Sequence, residues 1–586
     1  MSRRLSVPPY RFAALAAAGA ALCAAVLLAA PPVVAQDEPA EVFIDRVEVD
    51  VVNLEVVVTD DDGNPIRGLT KEDFRVFEDG EPVDLTNFYA VEGGARRDLA
   101  ADQPADSPLL DLGEEEAAAE EVLPKEQRLS LAVVIDNANI DPGSRKRILD
   151  QLREHLEAVL RPGDRVMVAS LEPQLEVRQG FTDDVAAVDA ALDEIGRAAA
   201  GRADLFAQRR MIRQSISTLD NSVNAAGGPE SQDTPEAGAD RVLQLITSYA
   251  AQAETVMRQT FTSLDTLTAS LAGLPGRRAV LLVSEHLSTN PVQTLLEEWY
   301  NNFSGVVPGL RDPINEGRRF DVSEPLRRVA HQAAADRVTF YTLHASGSRM
   351  PGAGDGMMLT APGAVADLGT MEPLMHLAAA TGGSSMLNSG NAEALVERMS
   401  ADYRDYYSLG YTSPKSQDGR YHRIEVRVPG RDLRVRHTEG YRAKTAEQRM
   451  KERTLSALIF DVADNPLDVR VQLLAEQEQN RHYVLPVMVR VPISRLVLLP
   501  QENVHVAKLT IVVAVRDADG GLSNPQRVEV PIEIPNDKLL EAMGQDVGHG
   551  LNLLVRKGDS KLAVGVRDEL SAVESTLNLN VSVGEG

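Results

Sequence analysis

The sequence has almost no cysteine. Its one cysteine in 586 residues, Cys23, lies inside an apolar run close to the N-terminus. Outside that run no residue can form a disulfide, bind a metal through a thiolate or act as a cysteine nucleophile. The sequence therefore excludes a disulfide-stabilised scaffold, a cysteine-based zinc site and a cysteine-dependent enzyme.

Positive charge is scarce compared with negative charge. Lysine and arginine together number 60, whereas aspartate and glutamate number 87, which gives a formal net charge of −27 at pH 7. Such a polyanion repels nucleic-acid phosphates and anionic lipid surfaces. We therefore expect no nucleic-acid partner, and we expect the acidity to favour solubility or weak binding of cations.

Familiar catalytic motifs are also missing. The sequence contains no H-E-x-x-H zinc motif, no G-x-S-x-G nucleophile turn and no P-loop. Ser284, Glu285 and His286 include the residue types of a hydrolase triad, but consecutive side chains at a strand end diverge and cannot form a proton relay. We predict that the chain is not an enzyme.

The N-terminus has the composition of an export signal. Basic residues precede an Ala- and Leu-rich run over residues 12–30, and the small residues Val33 and Ala35 follow it. This order predicts a signal peptide over residues 1–35, cleavage after Ala35, and a secreted or periplasmic mature chain without a membrane span. The alternative is an N-terminal membrane anchor, in which the same run is retained.

Two segments outside the centre of the chain alternate apolar and polar residues as β-strands do. Residues 41–92 and 445–586 combine such strands with D-x-D-G turns, and we predict an N-terminal and a C-terminal β-sandwich-like domain. The aspartates at 60–62 are either a calcium site or, as the turn composition favours, a solvated turn. Residues 93–127 contain GEEEAAAEE and predict an acidic flexible linker.

The central part of the chain alternates strands and helices. Over residues 128–444, apolar strands such as LAVVID (131–136) and RRAVLLVSE (277–285) alternate with amphipathic helices. This rhythm predicts an α/β doubly wound, mainly parallel sheet. Long helical patterns interrupt it at about 201–276 and predict a helical insertion. The predicted fold is thus multidomain, with an α/β centre between two β-sandwich-like domains.

Several of these segments together resemble the von Willebrand factor A-related proteins of the Acidobacteria type. The resemblance rests on VVVTDDDGNPIRGLTKEDFRVFEDGEPV near the N-terminus, on LAVVID, and on YYSLGYTS and YHRIEVRVPGRDLRVRHTEGYRA further along. It implies a Rossmann-like von Willebrand factor A (VWFA) domain without enzymatic activity that binds a protein partner. In such domains the partner often completes the coordination of a divalent metal at a metal-ion-dependent adhesion site (MIDAS).

The first motif of that metal site is only partly present. The family pattern D-x-S-x-S places Asp136 at the aspartate, but Ala138 and Ile140 stand where the two serines are expected. Alanine and isoleucine offer no oxygen ligand to a hard cation such as Mg²⁺. The resemblance therefore implies a degenerate MIDAS.

The other positions of the family's metal site differ as well. The family pattern places a threonine near Ala203 and Asp204, where this sequence has none. Thr182 is the alternative source of a hydroxyl, although its position also suits a helix cap. The late aspartate of the family pattern is replaced by Glu285. These differences favour an edge that binds its partner without a tightly held metal.

We predict that the functional site lies where strands 131–136 and 277–285 end. If a cation binds there, it is a weakly held Mg²⁺ or Ca²⁺ with Asp136, Asn139 and Glu285 as ligands, although a site with no cofactor is favoured. The predicted ligand-binding edge comprises Asp136, Asn139, Asp141, Glu285 and His286.

Two other functions are compatible with the sequence. Asp136, Glu285, His286 and His344 would together form the non-standard, zinc-type centre of a metal-dependent hydrolase. Alternatively, the chain is a structural envelope protein whose β-sandwiches associate by edge pairing.

Tyrosines are concentrated near the end of the α/β part. Their side chains would either stack on a carbohydrate or peptide, or pack in the core and at a sheet edge. These residues are Tyr403, Tyr406, Tyr407 and Tyr411.

Overall fold

The chain folds around several β-sheets, which a computed structural model describes from residue 51 onwards. The predicted signal peptide and most of the predicted acidic linker lie outside the described residues. All described residues belong to one unit, which spans Asp50–Gly586. The described residues are 51–97 and 128–584, except 158–159, 173, 199–202, 226–233, 347–361, 388–389, 414, 416–417, 431–432, 480–481 and 519–520.

The first strands are connected by short turns. The Asp60 carboxylate accepts hydrogen bonds from the backbone and side-chain amides of Asn64 at 2.7 and 2.9 Å, as expected of a turn. The strands extend past residue 92, where the linker was expected to begin, because Gly93 and Gly94 have positive φ and form a hairpin turn. The strands are β1 (Val51–Thr59), β2 (Arg75–Glu78), β3 (Glu81–Val83), β4 (Leu85–Glu92) and β5 (Ala95–Arg97).

A mainly parallel sheet follows, as the alternation of strands and helices predicts. Its strands are β6 (Leu129–Ile135), β7 (Arg165–Leu171), β8 (Leu175–Thr182), β9 (Arg277–Ser284), β10 (Val338–His344) and β11 (Ser385–Met386). They are ordered β11-β10-β9-β6-β7-β8, and β8 is antiparallel to β7.

Helices cover both faces of this sheet. They are α1 (Pro142–His155), α2 (Val185–Arg197), α3 (Ala203–Ala225), α4 (Pro235–Leu271), α5 (Gln293–Phe303), α6 (Pro313–Gly317), α7 (Ser323–Ala335), α8 (Pro362–Ala380) and α9 (Ala392–Arg404). Helices α3 and α4 occupy the predicted insertion. Among the described residues, no helix is both long enough and apolar enough to cross a membrane.

Successive side chains of β6 pack on opposite faces of the sheet. Leu131 and Val133 belong to a core with α1, α2 and α9, whereas Ala132 and Val134 belong to a core with α4, α5, α7 and α8. A strand that is buried on both faces has a continuous apolar sequence, which explains the run LAVVI.

The chain then returns to its N-terminal strands. The returning strands are β12 (Tyr406–Thr412), β13 (Tyr421–Arg427), β14 (Arg434–Arg436) and β15 (Gly440–Arg442). β1 pairs with β12 and β2 pairs with β13, and the two resulting sheets share one hydrophobic core. Residues 41–92 therefore do not build the N-terminal sheets alone, because so few short strands cannot bury a core without partners.

Residues from 445 onwards form a helix and two further sheets. Thr445 and Gln448 cap the helix reciprocally, and the two sheets share a hydrophobic core. The elements are α10 (Ala446–Phe460), β16 (Arg470–Leu473), β17 (Gln477–Gln479), β18 (His482–Pro492), β19 (Leu499–Pro500), β20 (Val504–Asp517), β21 (Gln526–Pro535), α11 (Leu539–Ala542), β22 (Asp546–Val555), β23 (Gly558–Asp568) and β24 (Glu574–Val583).

The strand order of the central sheet creates a crevice between β6 and β9. From β6 the chain adds β7 and β8 on one side, and it then crosses to β9 on the other side. In open sheets of this kind, ligands bind at the carboxyl ends of the strands where the order reverses. Asp136 follows β6 and Glu285 follows β9, so both residues lie at this crevice.

Candidate functional site

The loop after β6 and the loop after β9 are joined by backbone hydrogen bonds. The carbonyl oxygen of Asn139 accepts the N–H groups of Glu285 and His286 at 3.0 and 2.9 Å, and the N–H of Asp136 donates to the carbonyl of Val283 at 2.9 Å. These bonds fix the two loops relative to each other, so the side chains that they carry have defined positions.

Asp136 lies inside the protein and is fully buried. Its carboxylate accepts a hydrogen bond from the Ser284 hydroxyl at 2.7 Å and two from the Asn139 amide at 3.0 and 3.1 Å. Burial opposes the charged form and raises the pKa of Asp136 to about 6, although these hydrogen bonds act in the opposite direction. Asp136 therefore connects the two loops and is enclosed by protein.

The Asn139 side chain also has partners within the protein. Its amide nitrogen donates to Asp136 and, at 3.4 Å, to the Thr260 hydroxyl of α4. The structure divides the predicted metal set of Asp136, Asn139 and Glu285 between two groups. Asp136 and Asn139 are hydrogen-bonded to each other, whereas Glu285 lies close to Asp141 and His286.

Glu285 lies at the N-terminus of α1. Its two carboxylate oxygens accept the backbone N–H of Asp141 at 2.9 Å and the hydroxyl of Ser144 at 3.1 Å. Pro142 begins the helix, and a negative charge at this end is stabilised by the unpaired amide groups of the first turn. Sequence reasoning misses Ser144, although Asp-Pro-Gly-Ser is a helix-start signal that could have suggested its position.

Asp141, Glu285 and His286 form a group of candidate metal ligands, which we call the edge cluster. One ligand atom of each lies within 4.8 Å of the others, and His286 Nε2 is 3.9 Å from Asp141 Oδ1. Two atoms that each lie about 2.1 Å from a metal ion are at most about 4.2 Å apart, so the 3.9 Å separation fits a shared ion. The side chains of Asp141 and His286 are 55% and 28% exposed, whereas Glu285 is buried, so the cluster reaches solvent through Asp141 and His286.

A pocket of about 250 Å³ lies beside the edge cluster. Asn139 and His286 line it on one side, and the remainder is lined by the loop between β9 and α5 and by residues of α3, α4, α5 and α8. The ring of Phe206 on α3 lies 4.8 Å from the ring of His286, measured between centroids. Its lining is mixed, because the charged residues Arg209, Glu297 and Glu372 stand among apolar residues. A pocket of this composition suits a side chain of a partner or a small molecule.

His344 is not a member of the edge cluster. It is 1% exposed, and its two ring nitrogens are hydrogen-bonded to the hydroxyls of Thr370 at 3.1 Å and Ser346 at 2.7 Å. The predicted four-residue hydrolase centre is therefore divided. Glu285 and His286 lie in the edge cluster, whereas Asp136 and His344 are buried with separate partners.

The hydroxyl that reaches Asn139 comes from outside the segments that the sequence indicates. Thr182 accepts the N–H of Asp184 at 3.0 Å at the start of α2, and Asp204 is exposed on α3. Thr260, in the middle of α4, instead brings a hydroxyl to Asn139. No local signal identifies Thr260, because it lies within a long helical pattern.

The four tyrosines near the end of the α/β part are all buried. The rings of Tyr403 and Tyr406 both lie 4.2 Å from the Arg277 guanidinium, and the Tyr407 hydroxyl donates to the carbonyl of Ile66 at 2.8 Å. These contacts match the predicted role of the tyrosines in core and edge packing rather than stacking on a carbohydrate or peptide.

Comparisons with known proteins reveal distant similarities only. No protein-family model and no curated protein matches the chain. The chain is similar to the solved structure of an aerotolerance-related membrane protein from Bacteroides fragilis, with 9% identity over 47% of this chain and 98% of that chain and a TM-score of 0.21. It is also similar to a von Willebrand factor type A protein from Catenulispora acidiphila, with 9% identity over 78% and 67% of the two chains and a TM-score of 0.21. A third, proximal thread matrix protein 1 from the mussel byssus with a zinc-occupied MIDAS motif, has 10% identity over 50% and 49% and a TM-score of 0.19. TM-scores this low do not support an inference about function.

Proposed function

We propose that the chain is a non-enzymatic binding protein of the VWFA type, which holds a protein partner at the crevice edge of its central sheet. The observation that carries this proposal is the position of the edge cluster, exposed beside a pocket at the point where the strand order reverses. Because backbone hydrogen bonds fix the two loops, the surface is formed before the partner arrives, which lowers the entropic cost of binding.

The edge cluster is further proposed to hold a divalent cation weakly. Two carboxylates and one imidazole would leave coordination positions open for a carboxylate of the partner. The cluster differs from a complete MIDAS, because the motif aspartate, Asp136, is enclosed by protein. The imidazole of His286 favours Zn²⁺ over the oxygen-preferring Mg²⁺, Ca²⁺ and Mn²⁺.

A metal-dependent hydrolase is the second candidate. It is favoured by the fit of Asp141, Glu285 and His286 to a zinc ion with an open position. Hydrolysis also needs an acid or base within reach of the metal-bound water. Asp136 and His344, the other two residues of the predicted hydrolase centre, are both buried with hydrogen-bond partners of their own, and we therefore favour binding.

The proposed location is secreted or periplasmic, with residues 1–35 as the signal peptide. The flanking parts, proposed as β-sandwich domains, would act as spacers or as further contacts for the partner. The resemblance to the Acidobacteria type of VWFA-related proteins stays a prediction from sequence.

Calorimetric titration of the purified mature chain with Mg²⁺, Ca²⁺, Mn²⁺ and Zn²⁺ tests the proposed cation. We expect weak binding by the wild type and none by the double variant D141A/H286A. D537A/H482A, which removes the same residue types from exposed positions elsewhere, should bind like the wild type. Tight binding of zinc at one ion per chain would favour the hydrolase. If no cation binds, the edge binds its partner without a metal.

A further inference from the structure

Apolar residues make up a large part of the lining of the pocket beside the edge cluster. Most of them belong to α3 and α4, and Ala138 adds a methyl group from the loop after β6. All of them are buried except Phe206, which is half-buried. They include Ala138, Leu205, Phe206, Tyr249, Val256 and Met257. Such a surface gains free energy when it buries another apolar group.

The charged residues of the lining either have partners within the protein or are exposed. Arg209 Nη2 donates to the Thr294 hydroxyl at 3.1 Å, and the Glu297 carboxylate accepts a hydrogen bond from the Gln293 amide at 2.8 Å. Glu372 is exposed. These three residues carry one net negative charge, and the edge cluster adds two carboxylates and one imidazole. The region is therefore negative whether or not the imidazole is protonated, and an anionic ligand needs a cation at the edge cluster.

His286 belongs both to the edge cluster and to the lining of the pocket. Its Nε2 atom lies 3.9 Å from the Asp141 carboxylate, and its ring lies 4.8 Å from the ring of Phe206, measured between centroids. A cation at the edge cluster and an apolar group in the pocket would thus be separated by little more than the width of one imidazole ring. A single residue of a ligand is long enough to reach both.

We propose that the edge cluster and the pocket together bind the C-terminal residue of a partner protein. Its carboxylate would complete the coordination of the cation, and its large apolar side chain would fill the pocket. This inference rests on the proposed binding function and names the segment of the partner that is bound.

A C-terminal residue fits the geometry because it carries a carboxylate and an apolar side chain on the same Cα atom. An internal aspartate or glutamate has no apolar side chain of its own, so a neighbouring residue would have to fill the pocket. Capture of a terminal carboxylate is a recurring mode of peptide recognition. An apolar cavity of about 150 Å³ holds benzene. The pocket of about 250 Å³ therefore has room for the side chain of a leucine, methionine or phenylalanine.

Variants on α4 and α3 test the pocket without changing the residues of the edge cluster. A253F should fill the pocket, because Ala253 is buried and lines it. A251F is the matched control, because Ala251 is exposed on the same helix and does not line the pocket. F206A removes part of the apolar lining without adding volume, and it keeps the test valid if A253F does not fold.

Calorimetric titration of the purified mature chain in saturating Zn²⁺ tests the proposal with three probes. N-acetylphenylalanine has both groups, N-acetylphenylalaninamide lacks the carboxylate, and N-acetylglycine lacks the side chain. We expect saturable binding of N-acetylphenylalanine by the wild type and by A251F. Binding should be weaker by at least about tenfold for the other two probes, and for N-acetylphenylalanine with A253F or F206A.

Titration of each variant with Zn²⁺ alone separates this inference from the proposed cation site. If the wild type binds zinc but binds N-acetylphenylalanine no more tightly than N-acetylglycine, the inference is overturned and the cation site stands. Equal binding of N-acetylphenylalaninamide, or unchanged binding of N-acetylphenylalanine by A253F and F206A, would also overturn it. If the wild type does not bind zinc, the proposed cation and this inference are both wrong.

Discussion

The Ser284 hydroxyl donates a hydrogen bond of 2.7 Å to the Asp136 carboxylate inside the protein. Ser284 ends β9 and Asp136 follows β6, so the bond joins the two strands that form the crevice. Asp136, which the sequence predicts as a metal ligand, thus joins two strands at the edge of the sheet. The candidate ligands that lie close together are Asp141, Glu285 and His286.

The pH dependence of folding should report the burial of Asp136. Its pKa is about 6 in the folded protein and 3.8 without the protein environment, so the folded state binds the proton more tightly than the unfolded state. The contribution to the free energy of unfolding is complete below about pH 4 and is lost as the pH rises through 6, by up to about 3 kcal/mol.

Urea unfolding at a series of pH values measures this loss. The D136N variant should not show the loss of stability between pH 4 and 6. The control D312N, which changes an aspartate at an exposed helix start, should show the same loss as the wild type. If D136N and the wild type have the same pH profile between 4 and 6, Asp136 is not buried as described.

Glu285 should stabilise α1 as well as contribute to the edge cluster. E285Q removes the negative charge from the helix N-terminus and should lower the free energy of unfolding by about 1 kcal/mol. E324Q is the control, because Glu324 lies in the first turn of α7 with a 70% exposed side chain and should change stability by less than about 0.5 kcal/mol. Thermal unfolding compares the stabilities of E285Q and E324Q. Equal losses of stability in the two variants would contradict the stabilisation of α1 by Glu285.

His422 in β13 should make the N-terminal sheets sensitive to pH. Burial opposes the charged ring, but hydrogen bonds to Asp79 and Asp418 at 2.9 and 3.1 Å outweigh it and raise the pKa of His422. Its stabilising contribution is therefore complete below about pH 6.5 and is lost as the pH rises through the raised pKa.

Unfolding of H422Q measures this contribution. H422Q should lack the decline in stability above pH 6.5. The control is H505Q, which should keep this decline, because the His505 ring contacts the Asn536 amide rather than a carboxylate. A ring of His422 that titrates below 6.5 in an NMR experiment would contradict the prediction.

Trp299 should report the packing of α5 against α4. It is the single tryptophan of the sequence, it is fully buried, and its indole N–H donates to the carbonyl of Ala239 at 2.9 Å. We expect emission typical of an apolar environment and a shift to longer wavelength on unfolding. W299F should cost about 2 kcal/mol through the lost volume and hydrogen bond, whereas the half-buried Tyr300 should tolerate Y300F.

The central sheet could be predicted from the sequence because its signals are local. A strand buried on both faces, such as β6, is a short apolar run that ends in a polar residue, and amphipathic helices follow at regular spacing. The N-terminal sheets could be predicted only in part. β1 pairs with β12, some 350 residues away, and nothing in either strand encodes that partner.

The candidate site was accessible from sequence only as a region. Asp136 and Glu285 follow strands that meet at a crevice, which the alternation of strands and helices predicts. The direction of each side chain depends on partners elsewhere in the chain, since Ser284 binds Asp136 across 148 residues and Ser144 binds Glu285 across 141.

Co-purification of a partner with the tagged chain, from the cells that produce it, tests the central claim most directly. The amount of each recovered protein is measured by quantitative mass spectrometry for the wild type, for D141A/H286A and for the control D537A/H482A. The account predicts a partner that is retained by the wild type and by D537A/H482A and is lost from D141A/H286A. Recovery of the same partners in the same amounts with D141A/H286A would contradict a binding role for the edge cluster.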